Sequence, residues 1–304
     1  MYEKILVALD GSELSERVLP YARFIAAKLK ASVELLHVVD IETPRTPSAA
    51  QQIRHENLLA AEQRSSLEYL KKIAAAFADT TATNCAVEIG KPAEVIVDRA
   101  ATDARMLIAM TTHGRSGIQR WLLGSVADKV LHAAANPLLL IRGADETKKS
   151  AALPVQTIMV ALDGSPLAEL VLPHASELAA KMGLGLVLTR VFGVPTPTFA
   201  EEYGPYVEEL WTQVETESQQ YLDEIAKRLR GQGLTDVTTK SVPGFATEKL
   251  IELASASGET LVAMCTHGRS GVNRWVLGSV TDRVVRHLAG PVLIVRAPTP
   301  AETK

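Results

Sequence analysis

The sequence predicts an α/β protein: two tandem, doubly wound domains, each built on a five-stranded parallel sheet covered by helices. Three observations carry this reading. First, the chain repeats itself. Residues 111–129 (TTHGRSGIQRWLLGSVADK) return as residues 265–283 (CTHGRSGVNRWVLGSVTDR) with 13 of 19 positions identical, and VALDGS at 7–12 returns at 160–165. The offsets of 154 and 153 residues are half of the 304-residue chain, so the repeating unit has the size of a domain rather than of a solenoid module. Second, short apolar runs alternate with stretches of helical period, the pattern of parallel strands joined by right-handed crossovers. Third, aromatics make up only 5% of the residues while Ala, Val and Leu abound, which suits strands buried on both faces.

The elements follow in order. Ile5–Leu9 is a short apolar run and reads as the first strand. Ser12 caps a helix whose apolar positions Leu14, Val18, Ala22, Ile25 and Leu29 recur at helical spacing. Val33–Val39 is the second strand. A Pro-punctuated stretch from Thr43 to Pro47 then leads to a long helix carrying Leu59, Leu67, Leu70, Ile73 and Phe77. A weaker strand covers Ala82–Ile89, and Gly90 and Pro92 open a helix through Val95, Ile96 and Ala100. Met106–Met110 is the fourth strand, Val126–Ala134 is helical after a Gly-rich loop, and Pro137–Ile141 is the last strand.

The second half repeats this plan. Its strands are Ile158–Leu162, Leu184–Phe192, Val237–Val242, Leu261–Met264 and Pro291–Val295, with helices from Ser165, around Tyr206–Arg230 and near Lys249–Ala254. Ser165 followed by Pro166 is a sharp helix start. The polar stretch Gly143–Gln156 divides the chain into a first domain at 1–143, a linker at 144–156 and a second domain at 157–298.

In an open parallel sheet, ligands bind beyond the carboxyl ends of the strands where strand order reverses. Two loops in each half look built for that place. One follows the first strand and carries Asp10 and Gly11, repeated as Asp163 and Gly164. The other follows the fourth strand and carries Gly114, Gly117, Gly124 and Ser125, repeated as Gly268, Gly271, Gly278 and Ser279. Glycine permits close approach of a ligand to the main chain. Gly124-Ser125 also sits at a helix start, where N–H groups and the helix dipole hold anions. Phosphate is the natural candidate there, with a sugar near Asp10.

The same residues have a purely structural reading. Ser125-Val-Ala-Asp128 and Ser279-Val-Thr-Asp282 match a capping box, and Asp10-Gly11-Ser12 matches a turn followed by an N-cap. His113 and His267 either order the loop or face a phosphate, and Arg115 and Arg269 either reach phosphates or point to solvent. Trp121 and Trp275 read as packing anchors. No Gly-x-Ser-x-Gly elbow is present, so a hydrolytic triad is not indicated and no catalytic residue is assigned.

These motifs resemble the universal stress protein family over nearly the whole of both halves. The resemblance runs through Val-Ala-Leu-Asp-Gly-Ser, Thr-His-Gly-Arg-Ser-Gly, the Leu-Gly-Ser-Val helix start and the final Pro-Leu/Val-Leu strand. It implies a sheet in the order 3-2-1-4-5, of the adenine nucleotide alpha hydrolase-like kind, with its switch point between strands 1 and 4. One branch of the family binds ATP through Gly-x2-Gly-x9-Gly-Ser/Thr. Here that spacing falls on 111, 114, 124, 125 and on 265, 268, 278, 279, with Thr111 and Cys265 in place of the first glycine. A β-branched Thr111 would be costly if that position required positive φ.

The resemblance implies that Asp10 and Asp163 face the ribose. Ala8, Val38 and Met110, with Ala161, Val191 and Met264, would line the base pocket. Gly114, Gly124, Ser125 and Val126, with Gly268, Gly278, Ser279 and Val280, would hold phosphates beside Thr111, His113, Cys265 and His267. The implied ligand is ATP, with or without Mg2+, or AMP or ADP. The implied role is a nucleotide-binding, cytoplasmic stress-response protein acting through ligand-dependent interaction. Alternatives are a non-nucleotide scaffold or dimerisation protein of the same family and a slow ATPase. An internal pseudo-dimer through Leu138–Ile141 and Val292–Val295 is expected, with a homodimer as a further possibility.

Bulk properties narrow the classes. A net charge of −3 gives no electrostatic footprint for nucleic acid. No apolar run approaches the roughly 18–20 residues of a membrane span, and MYEKILVALDGS enters a strand at once, without the pattern of a signal peptide. Cys85 and Cys265 occupy unrelated positions in the two halves, so neither a disulfide framework nor a metal site is expected.

Overall fold

The computed structural model describes residues 2–40, 49–77, 82–112, 123–142, 155–193, 206–266 and 277–297. The chain forms two compact units, Met1–Glu146 and Thr147–Lys304. In the first unit, β1 (Lys4–Ala8), β2 (Ser32–Val39), β3 (Thr83–Ile89), β4 (Met106–Thr111) and β5 (Leu138–Ile141) form a parallel sheet in the order β3-β2-β1-β4-β5. In the second, β6 (Thr157–Leu162), β7 (Gly185–Phe192), β8 (Val237–Pro243), β9 (Thr260–Cys265) and β10 (Val292–Val295) take the equivalent order β8-β7-β6-β9-β10. Both halves therefore show the 3-2-1-4-5 order.

Burial follows strand position. Every residue of β4 and β5, and of β9 and β10, is buried, as a strand covered by helices on both faces must be. The edge strand β3 is mostly half-buried, and its apolar content is correspondingly thinner. This is why Ala82–Ile89 gives the weakest strand signal of the first half.

The helices of the first unit are α1 (Glu13–Glu16), α2 (Leu19–Leu29), α3 (Ala49–Ala75), α4 (Pro92–Ala101) and α5 (Ser125–Ala133). Those of the second are α6 (Pro166–Glu169), α7 (Leu172–Met182), α8 (Tyr206–Gly231), α9 (Ala246–Ser257) and α10 (Ser279–His287). The single helix expected after Ser12 is in fact two. Pro20 and Pro173 lack the N–H that would continue an i→i−4 ladder, and their rings crowd the preceding turn. The chain tightens there instead: the Arg17 and Leu170 N–H groups donate to Leu14 and Leu167, three residues back. Both prolines then sit in the first turn of the next helix, where no donor is required.

The ends of α2 and α7 also correspond. Each closes with a left-handed residue, Lys30 at φ 55° and Gly183 at φ 68°. The following N–H groups, of Ala31 and Leu184, donate back to Ala26 and Ala179. Among the described residues no helix is long and apolar enough to cross a membrane.

Candidate functional site

The chain leaves β1 toward β2 on one side and leaves β4 toward β5 on the other, so a crevice opens beyond the carboxyl ends of β1 and β4. A cavity of about 550 Å³ lies there in the first unit, and one of about 260 Å³ lies at the equivalent place in the second. All fourteen residues lining the second cavity are repeat-mates of residues lining the first. Ala8, Asp10, Val38, Met110, Thr111, Gly124, Ser125 and Val126 meet in the first cavity. Ala161, Asp163, Val191, Met264, Cys265, Gly278, Ser279 and Val280 meet in the second. His113, Gly114, Arg115, Gly117, Trp121, His267, Gly268, Arg269, Gly271 and Trp275 lie outside the described residues.

The Asp-Gly-Ser turn is locally determined. The Ser12 N–H and Oγ–H both donate to Asp10 Oδ1, at 3.0 and 2.6 Å. Ser12 Oγ in turn accepts the Ser15 N–H at 3.1 Å, which caps α1. Gly11 adopts φ 81° between them, a conformation that side chains disfavour. The second copy repeats the device: Ser165 N–H donates to Asp163 Oδ1 at 2.9 Å, Ser165 Oγ caps Ala168 at 3.2 Å, and Gly164 has φ 87°. The turn-and-cap reading is therefore correct, and its result is to fix a carboxylate at the lip of each cavity.

The capping-box reading of Ser125 and Ser279 is not. The N-cap residues of α5 and α10 are Gly124 and Gly278, and neither helix start has a side-chain cap bond. Ser125 and Ser279 are the first helical residues, which puts Asp128 and Asp282 one position too late to close a box. Instead, Asp128 and Asp282 make the first intrahelical bonds, to Gly124 and Gly278 carbonyls. The Gly124 and Gly278 N–H groups are used elsewhere: they donate to the Thr112 and Thr266 carbonyls at 2.7 and 2.8 Å. That bond ties each helix start to the end of β4 or β9. The N–H groups of Ser125, Val126 and Ala127 remain in the first turn, without intrahelical acceptors, at the positive end of the helix dipole.

Thr111 and Cys265 are the last residues of β4 and β9, paired with Ile141 and Val295. Both are buried in extended backbone, and Lys30 is the positive-φ non-glycine residue among those described. The position of the missing glycine thus imposes no left-handed geometry, and the anticipated cost of a β-branched residue does not arise.

Hydrogen bonds from two tyrosines tie the long helices to the short helices that follow the turns. The Tyr69 hydroxyl of α3 donates to Glu16 at 3.1 Å, and Tyr221 of α8 donates to Glu169 at 3.3 Å. Burial, and then the adjoining glutamate charge, hold both phenols well above their ordinary pKa, so each stays a neutral donor. His37 and Tyr69 meet edge-to-face with 6.4 Å between ring centroids, while Arg190, the repeat-mate of His37, lies 5.1 Å over the Tyr221 ring. Sequence reasoning missed these residues, and missed Leu36 and Thr189, Ser15, and the α4 and α9 wall of Pro92, Ile96, Ala246 and Leu250. Strand period could have found Leu36 and Thr189, two residues before Val38 and Val191 on one face. The tyrosines carry no local signal. Among the described residues, no group of three or more His, Cys, Asp or Glu side chains is placed to hold a metal ion.

A doubly wound parallel sheet with an uncapped helix start and a fixed carboxylate at its switch point defines a class of α/β domains, here present twice. Residues 1–142 and 154–296 each match the profile of the Universal stress protein family, and the chain belongs to that family. A universal stress protein of Mycolicibacterium smegmatis is 28% identical over 302 residues, which cover 96% of either chain. One from Methanocaldococcus jannaschii is 33% identical over 143 residues, 47% of this chain and 83% of its own. The crystal structure of a universal stress protein from Archaeoglobus fulgidus shares the fold, with a TM-score of 0.68 at 20% identity over 98% of this chain and 100% of that one.

Proposed function

We propose that each half binds an adenine nucleotide, ATP or AMP, at its β1/β4 crevice, and that the protein acts in the cytoplasmic stress response through ligand-dependent interaction rather than turnover. The observation that carries this reading is the helix start at Gly124 and Gly278. It has no side-chain cap, it opens on the cavity, and a main-chain bond holds it to the neighbouring strand. Such a start is an anion site by construction. The N–H groups of Ser125 and Val126, and of Ser279 and Val280, would donate to phosphate oxygens, and the absence of a side chain at the glycine lets the phosphate reach them. Asp10 and Asp163 would accept from ribose hydroxyls. Ala8, Val38 and Met110, or Ala161, Val191 and Met264, would enclose the base. Mg2+ would enter with ATP and neutralise its phosphates.

The alternative of a non-nucleotide scaffold is motivated by Thr111 and Cys265 in place of the motif's first glycine. The extended backbone at both positions answers the conformational part of that objection, while each Cβ still narrows approach to the main chain. Titrating nucleotide-free protein with Mg-ATP by calorimetry, checked by equilibrium dialysis, tests the reading. Saturable binding that disappears in the Gly124→Val/Gly278→Val double variant is expected. No binding at millimolar nucleotide, with or without Mg2+, would overturn it.

A further inference from the structure

The two cavities differ at the floor. Leu36 of β2 lines the first, and its repeat-mate Thr189 of β7 lines the second. Thr189 pairs in register with Ala161 of β6, as Leu36 pairs with Ala8. Its side chain points to the cavity face of the sheet: Thr189 and Val191 line the cavity, whereas Arg190 between them turns to the other face and stacks on Tyr221. Thr189 is 0% exposed, and its Oγ1 has no hydrogen-bond partner. A buried hydroxyl left unpartnered is destabilising, and apolar side chains of the same shape are available to selection. The other hydroxyl introduced at this cavity, that of Thr281, is satisfied, donating to the Cys265 carbonyl at 2.9 Å. Thr189 is therefore a buried lining residue whose hydroxyl the described part of the fold does not use.

We propose that Thr189 is a specificity-determining residue of the second site, its hydroxyl bonding a polar edge atom of the bound purine base. The inference rests on the nucleotide reading above. The phosphates take the Ser279–Thr281 end of the cavity, and Thr189 stands across from it on β7 beside Val191, where the base lies. The first site presents Leu36 at this point and makes no such bond. The two halves thus recognise the same class of ligand with different discrimination at the base. Seating the base also requires the floor to give slightly, because Oγ1 is covered in the present structure.

The test isolates the second site in the full chain by blocking the first with Gly124→Val, and reads ATP affinity by calorimetry for Thr189, Thr189→Val and Thr189→Ser. Thr189→Val keeps the shape and loses the hydroxyl; Thr189→Ser keeps the hydroxyl. Loss of one hydrogen bond to a buried partner predicts about tenfold weaker ATP binding in Thr189→Val, with Thr189→Ser holding near the parent. In the reciprocal background, with Gly278→Val, Leu36→Thr is expected to tighten binding at the first site. Thermal unfolding serves as the control for folding, since removing an unpartnered hydroxyl leaves Thr189→Val at least as stable as the parent. Equal ATP affinity in Thr189→Val and the parent would overturn this inference while leaving the nucleotide reading intact. Absence of binding in the unsubstituted protein would overturn both.

Discussion

At the scale of single residues, the duplication supplies its own controls. Lys30 holds the left-handed position that Gly183 holds in the second half. An L-residue there is strained by its Cβ against the following carbonyl, by about 1 kcal/mol. Lys30→Gly is expected to stabilise the protein by about 0.5–1 kcal/mol, and Gly183→Lys to destabilise it by a similar amount. Opposite shifts in thermal midpoint would check this; shifts of the same sign would refute it. Glu34 offers a second contrast, since Val187 takes its place in the repeat. Burial alone would raise the Glu34 carboxyl, but hydrogen bonds and charge from Lys4 and Arg99 outweigh it and hold the pKa below the ordinary value. A depressed carboxylate contributes stability that is present at neutral pH and lost as pH falls through its folded pKa. Glu34→Gln is expected to cost about 1–2 kcal/mol near pH 7, since Lys4 and Arg99 keep access to solvent. The gap to the parent should narrow as pH falls below the ordinary carboxylate range and through the lowered folded pKa. A pH-independent gap in denaturant unfolding would show that the charge is not responsible.

At the scale of elements, the strands were readable because a strand buried on both faces must be a short apolar run, and nearly all of these are. The helix starts were readable only in part. Ser12 and Ser165 do cap, and their N–H groups also hold Asp10 and Asp163, with the Ser12 hydroxyl adding a second bond to Asp10. Ser12→Ala should therefore cost about 1 kcal/mol and weaken nucleotide binding at the first site; an unchanged affinity would separate the cap from the turn. Gly124-Ser125 left two readings open because glycine and serine both cap helices, and only the backbone decides which of two neighbours is the cap. The split into α1 and α2 was announced by Pro20, whose meaning the apolar spacing of Val18, Ala22 and Ile25 obscured. What the sequence could not announce are contacts made at a distance, such as Tyr69 with Glu16 or Arg99 with Glu34, because they depend on where α3 and α4 come to rest. Candidate site residues within repeated motifs were legible; Thr189, which departs from the repeat, could be reached only through the strand period.

For the whole molecule, two equivalent crevices on one chain predict two nucleotides per polypeptide. Gly124→Val alone and Gly278→Val alone should each reduce the stoichiometry to one, and the residual site in each should report its own affinity. Loss of both sites on a single substitution would show that the halves do not bind independently. Because the lining differs at positions such as Leu36/Thr189, Thr111/Cys265 and Ala127/Thr281, two affinities rather than one are expected. The bond from the Gly124 N–H to the Thr112 carbonyl has a further consequence. It closes the intervening stretch of chain into a ring at its base, so the geometry of the helix start is set below that ring. Each doubling of such a ring's length costs only about 0.6 kcal/mol of closure entropy. A change in the length of the connection between Thr112 and Gly124 is therefore expected to leave the start of α5 anchored to the end of β4.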